Sequence, residues 1–118
     1  MRILIADDNE RVRSSIVKLL SFEPGWEICE AGDGQSAIQI ARQLLPDVIL
    51  LDISMPGLSG LETATRLRPH LPKAKILMLS QEDAALLLPD ALAAGAHGVV
   101  DKSRLVTDLS PAIKKLAP

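Results

Sequence analysis

Residues 48–52 read VILLD, four apolar side chains in succession followed by an aspartate. A strand covered on one face only alternates apolar and polar residues, whereas a parallel strand covered on both faces does not. The stretch therefore predicts a central, buried parallel strand that ends at Asp52. Parallel strands need long crossover connections, which are usually helices, so the flanking segments should supply them.

Outward from this strand, the same unit recurs along the chain: an apolar run, a turn, and then apolar residues at helical spacing. Further strands are predicted at residues 3–6, 26–31, 76–80 and 98–100. Five strand–helix units in strict alternation predict a doubly wound α/β domain, a (βα)5 fold with a five-stranded parallel sheet and right-handed crossovers. The chain has 118 residues and no linker or repeat, so we expect one domain over residues 1–118.

Two prolines interrupt the helical patterns. Pro89 and Pro111 fall within the stretches that read as the fourth and fifth helices. Proline costs about 3 kcal/mol in a helix interior but is tolerated in the first turn. We therefore expect these helices to begin late or to kink, the last one starting near Asp108 or Ser110. Gly95 is expected to cap the end of the fourth helix.

Composition excludes several classes of function. A net charge of −2 and two aromatic residues, Phe22 and Trp26, give no footprint for direct nucleic-acid binding. No apolar stretch approaches the roughly 18 residues of a membrane span, and the N-terminus is not a signal peptide, so we expect a cytoplasmic protein. Cys29 has no partner for a disulfide and reads as a core thiol. His70 and His97 are expected on the surface, since neither has a metal-ligand partner at a recognisable spacing.

Ligands of open α/β sheets bind beyond the carboxyl ends of the strands. The residues predicted there are Asp7, Asp8, Asp52, Ser80 and Lys102. Two carboxylates about 4 Å apart repel by roughly 4 kcal/mol at an effective dielectric near 20, so the cluster needs a shared cation. Hard oxygen donors with room for water and phosphate favour Mg²⁺, and another divalent cation such as Mn²⁺ would suit the same donors.

Each of these residues also has a plain structural explanation. Asp8 could cap a helix, Asp52 could cap a turn, and Ser80 and Lys102 could be ordinary surface groups. Their joint occurrence at the ends of four strands favours phosphoryl transfer, in which an aspartate can be the nucleophile. Asp52 would accept the phosphoryl group, Lys102 would pair with one of its oxygens, and Ser80 would donate a hydrogen bond to another.

Five segments then identify a family. They are IADDN at residues 5–9, LLDISMPGLSG at 50–60, LS at 79–80, AGAHG at 94–98, and Lys102. Together they resemble the CheY-like receiver domain of two-component response regulators, closest in style to receivers of the NarL/LuxR type. The resemblance covers residues 2–116 and implies the flavodoxin-like fold.

The resemblance assigns roles to the acidic residues. It implies that Asp8 binds Mg²⁺ directly and that Asp7 more often binds it through water. The main-chain carbonyl of Ser54 would be a further ligand. Asp52 would be the phosphoacceptor, and a sensor histidine kinase or a phosphotransfer protein would donate the phosphoryl group. Such a domain is not an enzyme with a separate substrate, because it catalyses only its own phosphorylation and dephosphorylation. It would switch an output such as transcription through a DNA-binding domain outside this chain, and a homodimer is left open.

The readout residues include one departure from the family. Ser80 and Lys102 match the switch hydroxyl and the phosphate-binding amine. The family usually has Tyr or Phe three residues before the lysine, where this chain has Val99, and often Pro after it, where this chain has Ser103. The first departure concerns signalling and the second concerns local geometry, so the atoms that phosphorylation needs are retained.

Three other functions remain as alternatives. A pseudo-receiver that binds partners without phosphorylation is the nearest, because of Val99. A flavin-binding electron carrier would offer Ser, Thr or Gly amides to a phosphate in its first turn, where this chain has DDNE at residues 7–10. An aspartyl phosphatase would place its nucleophile at the end of the first strand with a second acid two residues on. The adjacent Asp7 and Asp8 disfavour that arrangement.

Overall fold

A computed structural model describes residues 1–117 of the chain. Strands and helices alternate as the apolar pattern predicts. The strands are β1 (Arg2–Ala6), β2 (Glu27–Ala31), β3 (Val48–Asp52), β4 (Lys75–Ser80) and β5 (Gly98–Asp101). The helices are α1 (Glu10–Leu20), α2 (Gly34–Leu44), α3 (Gly60–Leu67), α4 (Ala84–Ala93) and α5 (Leu105–Leu116), and one turn of 3-10 helix, Lys102–Arg104, precedes α5.

The five strands form one parallel sheet in the order β2-β1-β3-β4-β5. The predicted doubly wound α/β fold is confirmed. The order reverses between β1 and β3, which pair directly with Ala6 opposite Leu51. The residues that follow these two partners, Asp7 and Asp52, therefore come together at the switch point, where ligands of such sheets bind.

The sheet has a hydrophobic core on each face. Ile49 and Leu51 of β3 belong to the core completed by α2, α3 and α4, whereas Val48 and Leu50 belong to the core completed by α1 and α5. All four side chains are fully buried. Both faces of β3 are shielded from solvent, which is why its apolar and polar residues do not alternate.

Polar side chains define where α1 and α3 begin. Asn9 caps α1, because its Oδ1 accepts hydrogen bonds from the backbone N–H groups of Arg11 and Val12. Ser59 and Glu62 form a reciprocal capping box at the start of α3. Since Asn9 is the cap of α1, Asp8 is not needed for that role and its exposed carboxylate is available to the neighbouring site.

The expectation that α4 and α5 begin late is wrong. α4 starts at Ala84 and α5 at Leu105, with Pro89 and Pro111 in their interiors. A proline removes the hydrogen bond to the carbonyl four residues earlier, here at positions 85 and 107. Residues 85, 89, 107 and 111 are all exposed, so water can hydrate the carbonyls that lose their helical partner.

Gly95 ends α4 as predicted. It adopts a positive φ of 96°, and the N–H of Ala96 donates to the carbonyl of Ala91 across it at 2.9 Å. This is the hydrogen bond of a Schellman C-terminal cap, for which glycine is the least strained residue. His70 and His97 are exposed as expected. Within residues 1–117, no helix combines the length and the apolar character needed to cross a bilayer.

Candidate functional site

The carboxyl ends of β1, β3, β4 and β5 meet at one edge of the sheet. They surround a cleft of about 380 Å³. Asp8, Asp52, Ser54, Ser80 and Lys102 are among its lining residues, and Asp7 lies fully buried beneath them. The structure thus brings together all the side chains that the strand ends predicted as a site.

Three carboxylates crowd this cleft. Asp7, Asp8 and Asp52 each offer one oxygen atom, and these three atoms lie within 4.8 Å of one another. Asp7 and Asp52 are buried, while Asp8 is exposed at the mouth of the cleft. Like charges at this spacing repel strongly unless a cation lies among them, so the arrangement requires positive charge.

Lys102 supplies part of that charge. Its Nζ lies 2.9 Å from Asp7 Oδ2 and 3.1 Å from Asp52 Oδ1, so one ammonium group bridges the ends of β1 and β3. Burial acts to lower the pKa of Lys102, but its close contacts with the carboxylates of Asp7 and Asp52 outweigh this effect and raise the pKa above its ordinary value. Lys102 is therefore held as a cation between the two buried acids.

The environment of Asp52 disfavours its ionisation. Burial raises its pKa to about 6, and the nearby charge of Asp7 acts in the same direction. The hydrogen bond from Lys102 lowers the pKa, as does the N–H of Ser54, which donates to Asp52 Oδ1 at 3.2 Å. A carboxylate held in this way is ionised at neutral pH but incompletely solvated, which suits a nucleophile.

The donor set fits a hard divalent cation. Three carboxylates outnumber the single ammonium of Lys102, so net negative charge remains in the cleft. Asp7 Oδ2 is buried and, among residues 1–117, accepts no hydrogen bond of good geometry, although it touches Lys102 Nζ. A buried carboxylate oxygen without such a partner is costly, and a cation would satisfy it. Oxygen donors of this kind select Mg²⁺ or a similar ion over softer metals.

The loop after β3 packs tightly against the acceptor strand. The N–H of Ile53 donates to Leu79 on β4, and Gly60 donates to the carbonyl of Ile53 at 2.9 Å. A Cβ placed on Gly60 would lie only 2.3 Å from the carbonyl oxygen of Asp52. The start of α3 therefore lies directly against the backbone of Asp52, an approach that glycine allows.

Ser80 lies at the end of β4 on the far side of the cleft. Its side chain is buried, and its Oγ accepts a hydrogen bond from the N–H of Glu82 at 2.9 Å. That contact uses the oxygen as an acceptor, so the O–H remains available to donate to a ligand in the cleft. Val99 is partly buried and packs against the core formed with α2, α3 and α4.

Sequence patterns missed two residues that contact the site. Arg13 donates from Nη1 to the main-chain carbonyl of Asp7 at 2.7 Å, and Leu87 of α4 lines the cleft beside Ser80. Arg13 resembles any polar residue on the exposed side of a helix, and Leu87 any apolar residue of a helix. The one sequence signal was helical spacing: Arg13 comes one turn after the start of α1, on the side of the helix that faces the end of β1.

The raised pKa of Asp52 predicts how stability depends on pH without a divalent cation. The folded-state pKa of about 6 exceeds the ordinary value of 3.8, so the protonated form favours folding. This contribution is present below the ordinary pKa and is lost as the pH rises through about 6. Urea unfolding of the parent and of Asp52→Asn should show the parent losing stability relative to the variant as the pH rises from 3.8 to about 6. A relative gain would contradict the assignment.

Comparisons with known proteins agree with the fold and identify a family. The family profile described as the response regulator receiver domain matches residues 3–114. The nitrate/nitrite response regulator protein NarP of Escherichia coli (strain K12) is 42% identical over 102 residues, covering 86% of this chain and 47% of that protein. The transcriptional activator protein ExaE of Pseudomonas putida is 34% identical over 117 residues, covering 98% and 55%. The chain spans about half the length of these relatives.

Solved structures of response regulators have the same fold as this chain. A two-component response regulator of the LuxR family from Aurantimonas sp. SI85-9A1 superposes with a TM-score of 0.91 at 31% identity, covering 98% of this chain and 83% of that one. The response regulator domain of CheB from Thermotoga maritima superposes with a TM-score of 0.89 at 26% identity, covering 98% and 95%. The predicted similarity to receivers of the NarL/LuxR type is confirmed.

Proposed function

The chain belongs to the response regulator receiver domain family, and on that premise we propose that it accepts a phosphoryl group on Asp52. The observation that supports this most strongly is the position of that carboxylate, 3.1 Å from the ammonium of Lys102 and clustered with the carboxylates of Asp7 and Asp8. The donor would be a sensor histidine kinase or a phosphotransfer protein. We propose one receiver domain over residues 1–118, of which residue 118 lies outside the described part of the chain.

We assign the metal-binding role to Asp7, Asp8 and Asp52, together with the main-chain carbonyl of Ser54. A bound Mg²⁺ would supply positive charge to the oxygens of the transferred group. Asp8 is the exposed member, so it is the first acid that an entering cation meets. Asp7 offers its buried Oδ2, which touches Lys102 Nζ but accepts no hydrogen bond of good geometry within the described part of the chain.

The transfer itself balances simply. An Asp52 oxygen forms a bond to phosphorus as the bond from phosphorus to the donor's leaving group breaks, and the leaving group keeps that electron pair. Lys102 would exchange its contact with Asp52 for one with a phosphoryl oxygen. Ser80 would donate its free O–H to another. Attack of water on the same phosphorus returns Asp52 and inorganic phosphate, so the chain catalyses only its own modification and its reversal.

The output lies outside these residues. The relatives include proteins named as transcriptional activators and response regulators, and the chain covers about half of their length. We propose that this receiver controls transcription through a DNA-binding domain and that it acts in the cytoplasm, as family membership suggests. With a net charge of −2, the receiver itself is a poor ligand for nucleic acid.

Phosphorylation should be read out through the loop after β4. A phosphoryl group that draws Ser80 inward would pull on the loop through the hydrogen bond from the Glu82 N–H to Ser80 Oγ. Val99 is β-branched and restricted about its first torsion, so it cannot make the large rotation of an aromatic ring. Beryllofluoride with Mg²⁺, a phosphate mimic, is therefore expected to change amide exchange from Gln81 to Ala94 by about tenfold at the most affected amides.

The same exchange measurement on Asp52→Ala is the control, and it should show no response to the mimic. Changes confined to residues that touch the mimic, with none in residues 81–94, would contradict the switch. That outcome would favour a pseudo-receiver that presents a constant surface to its partners. Failure of the mimic to bind the parent in Mg²⁺ would count against the phosphoacceptor role itself.

A further inference from the structure

Arg13 reaches from the first turns of α1 to the end of β1. Its Nη1 donates to the main-chain carbonyl of Asp7 at 2.7 Å, a partly buried contact. Its Nε lies 3.0 Å from Glu30 Oε1 on β2, and its side chain is only 18% exposed. One guanidinium therefore connects α1, the edge strand β2 and the peptide that follows Asp7.

That peptide joins the two acids of the site. The carbonyl of Asp7 belongs to the planar unit that links Asp7 to Asp8, so fixing it restrains the direction of both side chains. The other restraints on Asp7 are its N–H, which donates to Ala31, its Oδ1, which accepts from the N–H of Asn9, and its Oδ2, which lies 2.9 Å from Lys102 Nζ. None of these contacts fixes the peptide plane between the two acids, so Arg13 is the group that orients it.

We propose that Arg13 is a positioning residue for the divalent-cation site, and that Glu30 holds its guanidinium in place. The inference rests on the proposed function, since it concerns the same acids. A charge-assisted hydrogen bond at 2.7 Å is strong and directional, so it suits a restraint on geometry. The guanidinium reaches the carbonyl of Asp7, while Lys102 contacts the carboxylate, so the two cations have separate tasks.

Two other roles for Arg13 make different predictions. If it contributes only a positive charge near the cleft, its removal should tighten cation binding, because a repulsive charge is lost. If it only fastens α1 to β2, its removal should lower the melting temperature and leave the affinity of the folded chain unchanged. Positioning alone predicts weaker cation binding despite the loss of a repelling charge.

The test is isothermal titration of the folded chain with Mg²⁺ and with Mn²⁺, well below the melting temperature of each variant. Arg13→Met is expected to raise both dissociation constants about tenfold, the lower end of what loss of an outer partner usually costs a metal site. Arg13→Lys can still donate to the carbonyl of Asp7 and should recover part of the affinity. Glu30→Ala should raise the dissociation constants by about threefold, as expected for loss of an exposed charge partner.

Arg11→Met is the matched control. Arg11 lies exposed on the same helix, so this variant loses the same charge without touching Asp7. It should bind Mg²⁺ as tightly as the parent or slightly more tightly. Affinity of Arg13→Met equal to that of Arg11→Met would overturn the inference, and if Arg13→Met does not fold, parental affinity in both Arg13→Lys and Glu30→Ala would do so. A parent chain that binds neither ion would overturn the proposed metal site as well.

Discussion

Lys102→Met should lower the free energy of unfolding by about 3 kcal/mol at about pH 8 in the absence of divalent cations. The reason is that Asp7 and Asp52 are both buried and share Lys102 as their counter-ion, at 2.9 and 3.1 Å. Methionine fills a similar volume but leaves two carboxylates close together with no positive charge between them. Lowering the pH should reduce the loss, because Asp52 can then take up a proton.

Addition of Mg²⁺ should restore most of the stability that Lys102→Met loses, since a cation replaces the missing ammonium. The comparison variant is Lys114→Met, which breaks an ion pair with Glu23 in which the lysine side chain is 57% exposed. That loss should stay below about 1 kcal/mol, as is usual for surface pairs, and should not depend on Mg²⁺. Chemical unfolding of the parent, Lys102→Met and Lys114→Met, with and without Mg²⁺, measures these changes in stability. A divalent-free Lys102→Met chain as stable as the parent would be incompatible with a buried acid pair.

Gly60→Ala is the second change with a large expected effect. The added Cβ would lie 2.3 Å from the carbonyl oxygen of Asp52 and 2.9 Å from its carbonyl carbon. These atoms are backbone, so they cannot rotate away as a flexible side chain can. Either α3 moves or the end of β3 moves, and we expect a loss of about 3 kcal/mol or more in stability. Phosphorylation of Asp52 should also slow, because its carboxylate shifts with its backbone.

Gly57→Ala provides the control within the same loop. Gly57 has a positive φ of 75° and no atom within 4 Å of a built Cβ. Its replacement should cost only the backbone strain of the left-handed region, about 1 kcal/mol. Thermal or urea unfolding of both variants separates crowding at Gly60 from strain at Gly57. A Gly60→Ala chain that matched the parent in stability would show that α3 does not abut the acceptor strand.

The fold could be predicted from the sequence because each unit repeats a strong local signal. The unbroken apolar run of β3 requires cover on both faces, and the helices that follow each strand provide it. The starts of α4 and α5 could not be predicted in the same way. The cost of Pro89 and Pro111 depends on whether the carbonyls that they leave unpaired face water, and that depends on tertiary exposure.

The candidate site could likewise be predicted from the sequence only in part. Asp52 and Ser80 end strands and Lys102 directly follows one, so the topology places them at one edge of the sheet whatever the details of packing. The bridge from Lys102 to both Asp7 and Asp52, and the contact of Arg13 with the carbonyl of Asp7, depend on side-chain reach across elements. Spacing along the chain carries no information of that kind.

The proposed function depends above all on phosphorylation of Asp52 in the presence of a divalent cation. The most direct measurement is the intact mass of the parent and of Asp52→Ala after incubation with acetyl phosphate, with Mg²⁺ or with a chelator. We expect the parent to gain the mass of one phosphoryl group in Mg²⁺ and none in the chelator, while Asp52→Ala gains none in either. A phosphoryl gain by Asp52→Ala, or none by the folded parent in Mg²⁺, would show that Asp52 is not the phosphoacceptor.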